Sequence, residues 1–117
     1  MQRLMLKSKI HRATLTGTEI DYEGSISIDE DLIEKADLLP GEQVHVLNVS
    51  TGDRIITYVI KAPAKSGTVM LNGPAARMGV PGDPLIIISY CQLDDAAARR
   101  HKPIVVHVDG KNRPVSK

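Results

Sequence analysis

The chain reads as a mainly β protein, a small barrel with a few short helices. Three observations predict this. Short runs rich in Val, Ile, Leu and Thr recur along the chain, at residues 44–49, 55–60, 85–90 and 104–108. Turn residues separate such runs, as at Pro40-Gly41, Thr51-Gly52-Asp53, Asn72-Gly73 and Pro81-Gly82-Asp83. The clearest helical spacing is confined to one stretch, residues 29–38.

Taken in order, residues 3–16 alternate apolar and polar side chains, as a half-buried strand with a bend would. Residues 20–28 read as a second strand, interrupted at Gly24-Ser25, where a glycine marks a bulge or a close backbone approach. In residues 29–38, Leu32, Ile33, Ala36 and Leu39 share a face. Asp29, Glu30 and Asp31 suit the positive end of the helix dipole, and Pro40-Gly41 stops the helix. Strands at 44–49 and 55–60 form a hairpin across Thr51-Gly52-Asp53. A loop over 63–67 leads to a short strand at 69–71. Pro74 then opens a short helix, since proline is tolerated in a first turn. A buried strand at 85–90, a short helix at 94–100 and a strand at 104–108 follow. Residues 110–117 read as a frayed tail.

With 117 residues the chain makes one domain, and 42% hydrophobic residues suffice for a core. There is no Trp or Phe, so that core rests on Ile, Val, Leu and Met. Fifteen basic residues balance 14 acidic ones, which removes any general pull toward nucleic acid or an anionic membrane. The single Cys91 excludes an internal disulfide and suits a reducing cytoplasm; at the end of a buried strand it reads as a packed core thiol. No apolar run is long enough for a signal peptide or a membrane span. The four histidines, His11, His45, His101 and His107, match no metal-ligand spacing, so no metal is expected.

Chemistry concentrates at Tyr22-Glu23-Gly24-Ser25. The Ser25 hydroxyl lies one side chain from the Gly24 carbonyl carbon. Attack there closes a five-membered ring, and collapse of the ring turns the amide into an ester. Glycine has no Cβ to block the approach. β-Elimination of the ester then leaves a dehydroalanine, and its hydrolysis releases ammonia and leaves a ketone at a new chain end. The ordinary reading of an isolated Gly-Ser pair is a turn. Here it stands among Lys9-Ile10-His11, Arg54, Thr57-Tyr58, Asn72-Gly73-Pro74-Ala75 and Gly82-Asp83. In this order and spacing, from about Met1 to about Val106, the chain resembles the pyruvoyl-dependent aspartate α-decarboxylases.

The resemblance implies a six-stranded double-psi β-barrel. It implies a proenzyme that cleaves itself into residues 1–24 (β chain) and 25–117 (α chain) and carries a pyruvoyl group derived from Ser25. The activity it implies is decarboxylation of L-aspartate to β-alanine for pantothenate and coenzyme A, through a Schiff base to that ketone. It further implies a cytoplasmic homotetramer with sites between neighbouring subunits, and leaves open whether maturation needs a helper protein. By the same resemblance the Thr57 hydroxyl holds the Gly24 carbonyl, Tyr58 donates the proton that completes decarboxylation, and the Asn72 amide stabilises an oxyanion during processing. Backbone groups of Gly73, Pro74 and Ala75 line the substrate pocket. Pro74 has no N–H to offer a substrate. In perfect alternation Thr57 faces away from Arg54 and Tyr58, so a bulge near Thr57 would be needed to gather all three. Arg54 offers a planar fork for a carboxylate and Lys9 a second positive charge, a pair suited to a dicarboxylate; His11 borders the same region.

Two readings from other classes compete. In one, the protein is a non-catalytic β-barrel binding module that stays intact. In the other, Ser25 is the lasting nucleophile of a hydrolase, although Glu23-Gly24-Ser25-Ile26-Ser27 lacks the Gly-x-Ser-x-Gly elbow.

Overall fold

Strand β1 (Gln2–Thr14) buries Ser8, Ile10 and Ala13 and runs between two partners, β7 (Pro84–Asp94) and β8 (Ile104–Val108). The computed structural model describes residues 1–116. The bend expected in this strand is present, and its cause is local. The β1–β7 register shifts between Leu6 and Ser8 and again between Ile10 and Ala13, and Arg12 within the second shift has φ 62°. Such bulges insert an extra residue and turn the strand.

Residues 20–28 are not one strand. A three-residue β2 (Gly17–Glu19) is followed by a turn, and β3 (Ser25–Asp29) starts at the serine. Ile20 and Tyr22 are each about half exposed, whereas all five residues of β3 are buried. Asp29 caps helix α1 (Glu30–Lys35), its Oδ1 accepting from the Asp31 N–H at 2.8 Å. The helix ends at Lys35, not at 38. Asp37 takes φ 55°, the Leu38 N–H donates to Ile33 O, and the Asp37 N–H donates to Glu34 O. This is a Schellman closure with an aspartate in the left-handed position. It turns Leu38 inward and leaves Leu39 67% exposed, so Leu38 replaces Leu39 beside Leu32, Ile33 and Ala36.

β4 (Gln43–Asn48) and β5 (Arg54–Ala62) form the expected hairpin. Asn48 organises the turn: its Oδ1 accepts from Ser50 N and Thr51 N, and Gly52 adopts φ 79°. β6 (Val69–Asn72) leads into a 3₁₀ helix (Gly73–Met78), then β7 (Pro84–Asp94) and α2 (Asp95–Arg100), capped by Asp94. β7 continues past Tyr90, so Cys91 sits inside the strand, opposite Met5, and is half-buried instead of a core thiol. β8 (Ile104–Val108) pairs with β9 (Pro114–Val115), so the tail up to 116 is not frayed. Asn112 ties it down: the residue is 1% exposed and exchanges bonds with Thr14 N, Thr14 O and Gly67 O.

The described strands number nine, not six, and form one ladder in the order β2-β6-β3-β5-β4-β7-β1-β8-β9. Its ends, β2 and β9, do not pair with each other. Three pairings, β1–β8, β2–β6 and β3–β5, are parallel. The core is aliphatic throughout, with Ile10, Ile26, Ile28, Leu32, Val44, Val59, Leu71 and Leu85 at its centre. Among the described residues no helix is long and apolar enough to cross a membrane.

Candidate active site

β3 is gripped from both sides, parallel to β5 and antiparallel to β6, and this grip places Ser25 opposite Asn72. Both residues are 0% exposed, while Gly24 lies at the surface. The Ser25 hydroxyl donates to the Glu23 carbonyl oxygen at 2.9 Å. Asn72 Nδ2 donates to Ser25 Oγ at 3.0 Å and to Ser27 Oγ at 2.9 Å. Gly73 follows with φ 63°. A Cβ on it would stand 2.7 Å from Gly24 N and from Tyr22 O, so only glycine allows this backbone to lie so close. The Pro74 ring is next: a Cβ on Gly24 would meet its Cδ at 3.4 Å.

An open cleft of about 440 Å³ lies beside this junction, lined by Gly24, Thr57, Tyr58, Pro74 and Ala75 together with Ile55, Ile56 and Met78. The bulge expected near Thr57 is absent from the β4–β5 pairing, and Thr57 and Tyr58 reach the cleft without it while Arg54 does not. The β4–β5 register runs unbroken from Leu47↔Arg54 to Gln43↔Tyr58, so Thr57 and Tyr58 point to opposite faces of β5 and still border one cleft. The Tyr58 hydroxyl lies 3.4 Å from Glu23 Oε2. Desolvation, then the charge of Glu23 and the hydrogen bond to it, raise the Tyr58 phenol above its ordinary 10.0. The phenol is therefore protonated at neutral pH.

A second cleft, of about 350 Å³, reaches the same segment through Tyr22, Ser27 and Asn72, with Ile60, Lys61 and Met70 among its other walls.

The fold thus brings together Gly24, Ser25, Thr57, Tyr58, Asn72, Gly73, Pro74 and Ala75. It does not bring Arg54 or Lys9 into the cleft. Arg54 is exposed and donates to His45 Nδ1 at 3.0 Å. Lys9 is half-buried on β1, opposite Ile88 and Val105. His11 packs edge-on against His107, with ring centroids 5.7 Å apart, beside a different cleft. Sequence reasoning missed Glu23, which touches both Ser25 and Tyr58, and Ser27, the second hydroxyl on Asn72. The signal for Ser27 was present: residues two apart on a strand share a face. Among the described residues no group of three or more His, Cys, Asp or Glu could hold a metal ion.

A Gly-Ser peptide with the serine buried against an amide, the glycine at the surface and a tyrosine in the adjoining cleft defines a class, a small β protein with a cleft built against one peptide junction. The chain belongs to the aspartate decarboxylase family, whose model matches residues 1–115. It is similar to an aspartate 1-decarboxylase of Syntrophobacter fumaroxidans, 58% identical over 99% of this chain and 94% of that protein. An aspartate 1-decarboxylase of Dehalococcoides mccartyi is 57% identical over 93% of this chain and 88% of its own length. A third, from Thermoanaerobacter pseudethanolicus, is 52% identical over 99% of both chains.

Proposed function

We propose that this protein decarboxylates L-aspartate to β-alanine for pantothenate biosynthesis, and that it first cleaves itself between Gly24 and Ser25 into chains of residues 1–24 and 25–117. The observation that carries the reading is the junction itself: Ser25 Oγ is buried and oriented by Asn72, directly behind an exposed glycine. Family membership and the named relatives supply the reaction. The three parallel pairings support the double-psi wrapping of the inner strands that the family resemblance implies.

The surroundings fit a pyruvoyl group at residue 25. Residue 25 opens β3, so a new chain end there stays anchored by the ladders to β5 and β6. Residues 1–24 are separately held through β1 and β2, which keeps both fragments in one fold. Asn72 would hold the group from β6, and Gly73 leaves room for backbone to lie against it. Such a group supplies a ketone whose neighbouring carbonyl withdraws electrons from a substrate's α-carbon. The chain's own residues do the rest. Thr57, which lines the same cleft as Gly24, is the hydroxyl that would take hold of the Gly24 carbonyl for attack, Tyr58 keeps a proton at its phenol for delivery to carbon, and backbone of Gly73, Pro74 and Ala75 walls the substrate in. The site is completed in a cytoplasmic homotetramer, where Lys9 and Arg54 meet the carboxylates of aspartate across a subunit boundary. Their position outside the single-chain cleft supports that arrangement.

Denaturing mass spectrometry tests the reading. The purified protein should give a fragment ending at Gly24 and a second whose ketone end is reduced by borohydride. Ser25→Ala should give full-length chain alone. Cleavage in Ser25→Ala, or a full-length parent that makes β-alanine, overturns it.

A further inference from the structure

Asn72 has two amide hydrogens, and both are engaged, one on Ser25 Oγ and one on Ser27 Oγ. Ser25 and Ser27 stand two apart on β3 and share a face, with Asn72 opposite Ser25 in the register. All three residues are buried. Ser25 places its own hydrogen on the Glu23 carbonyl, so its oxygen can only accept from Asn72, and that sets which way the amide points. Asn72 Oδ1 is buried as well and has no hydrogen-bond partner among the described residues, so the Nδ2 bonds alone hold the amide.

The two serines have different fates on the self-processing route, on which this inference rests. Ser25 Oγ bonds to the Gly24 carbonyl carbon, its hydrogen passing to the nitrogen as the C–N bond breaks. The product is an ester with a free amine on residue 25. The Cα hydrogen of residue 25 then leaves as a proton to solvent, the Cβ–Oγ bond breaks, and its electron pair stays on Oγ. That oxygen departs as part of the Gly24 carboxylate and leaves dehydroalanine, from which water releases ammonia. Negative charge therefore grows on Ser25 Oγ, the atom at which Asn72 Nδ2 is aimed. A donor already oriented toward a developing charge stabilises the step that creates it. As Oγ moves away, its hold on the amide goes with it, and the Ser27 hydroxyl remains.

We propose that Ser27 is a positioning residue for maturation: its hydroxyl keeps Asn72 Nδ2 directed at Ser25 Oγ while that oxygen leaves Cβ. The expected defect without it is specific. The first step, ester formation, proceeds, and the elimination lags.

The test compares Ser27→Thr with Ser27→Val, side chains of nearly the same shape that differ in the hydroxyl. Cleavage is followed by denaturing mass spectrometry, with and without hydroxylamine. Hydroxylamine cuts the ester, giving a Gly24 hydroxamate and a fragment with a free amine on Ser25. Ser27→Thr should mature like the parent. Ser27→Val should mature about threefold to tenfold more slowly, the range for losing one hydrogen bond, with a larger hydroxylamine-sensitive share of its uncleaved chain. Ser27→Ala, which only removes an oxygen, gives the same comparison against the parent if the added methyl disturbs packing. Equal rates for the Thr and Val variants overturn the proposal. So does a slow Val variant whose uncleaved chain resists hydroxylamine, since the fault then lies in the first step. A parent that never cleaves sinks the self-processing reading itself, and is seen before any variant is compared.

Discussion

Ser25 and Ser89 are both buried hydroxyls in the same ladder, 0% and 1% exposed. Their settings differ in three respects. Ser89 lies inside β7, opposite Ser8 of β1, and is preceded by the β-branched Ile88. Ser25 is the first residue of β3 and is preceded by an exposed glycine. Ser89 donates to the Glu42 carboxylate, on which Lys7 also converges at 2.7 Å and the Leu39 N–H at 3.0 Å. Ser25 meets an amide and a carbonyl and no carboxylate. Burial and hydrogen bonding are common to both, so neither singles out Ser25. What separates them is an unobstructed carbonyl on the N-terminal side and a donor, not an anion, against the oxygen.

The largest effect should come from the cleft beside Ser25. Tyr58→Phe keeps the ring and loses the phenolic proton. The variant should cleave as the parent does and turn over aspartate about 10²–10⁴-fold more slowly, the usual contribution of a positioned acid. In the parent, the raised phenol pKa puts the loss of this proton on the alkaline side, above the ordinary 10.0. A kcat limb assigned to Tyr58 below neutrality would break the assignment, and so would unchanged turnover in processed Tyr58→Phe.

Gly73→Ala comes next. The added Cβ would press on backbone atoms of Gly24 and Tyr22 at 2.7–2.8 Å, and at φ 63° it is strained in any case. Overpacking of this kind costs about 1–3 kcal/mol. If the junction absorbs it, cleavage should slow by roughly tenfold or more. A time course of fragment formation checks this, and an unaffected rate would show that Gly73 does not set the junction's geometry.

The smallest effect belongs to the Ser89 region, and it should fall on stability. Burial pushes the Glu42 carboxyl up, but the bonds from Lys7, Ser89 and Leu39 outweigh that and hold it below its ordinary 4.5. A lowered folded pKa means the group stabilises the fold above its unfolded value, and that this contribution is lost as pH falls through the folded value. Glu42→Gln should cost about 1.5–3 kcal/mol near neutrality, the range for bonds to a charged group. The gap from the parent should close as the solution is acidified, and cleavage should be unchanged. Denaturant melts at neutral and acidic pH measure it. Slowed cleavage at full stability would erase the contrast between the two serines.

Much of this was legible in the chain. Alternating aliphatics placed β4, β5, β7 and β8 within a few residues, and Asp29 and Asp94 at the two helix starts act as caps. Gly24-Ser25 and Asn72-Gly73 stood out because few residue types suit their backbone and chemistry. The misses share a cause. Helix α1 is shorter than its apolar spacing predicts because its end depends on a left-handed aspartate, a position where glycine is the usual sign. The tail read as frayed because Asn112 anchors it through partners at Thr14 and Gly67, far away in sequence. Arg54 and Lys9 share a charge logic that reads well in one dimension, but β5 and β1 lie apart in the ladder, with β4 and β7 between them.

By itself the sequence determined which segments extend, where most turns fall and where its one Gly-Ser bond lies, because these depend on side-chain shape and backbone freedom within a few residues. Tertiary structure alone decided that Asn72, 47 residues away, stands opposite Ser25, that its second hydrogen reaches Ser27, and that Gly73 presses on Gly24. Those facts follow from the register of β3 against β6. Register is fixed by which faces of all the strands can be buried together, a property of the whole packed sheet that no local stretch of the chain contains.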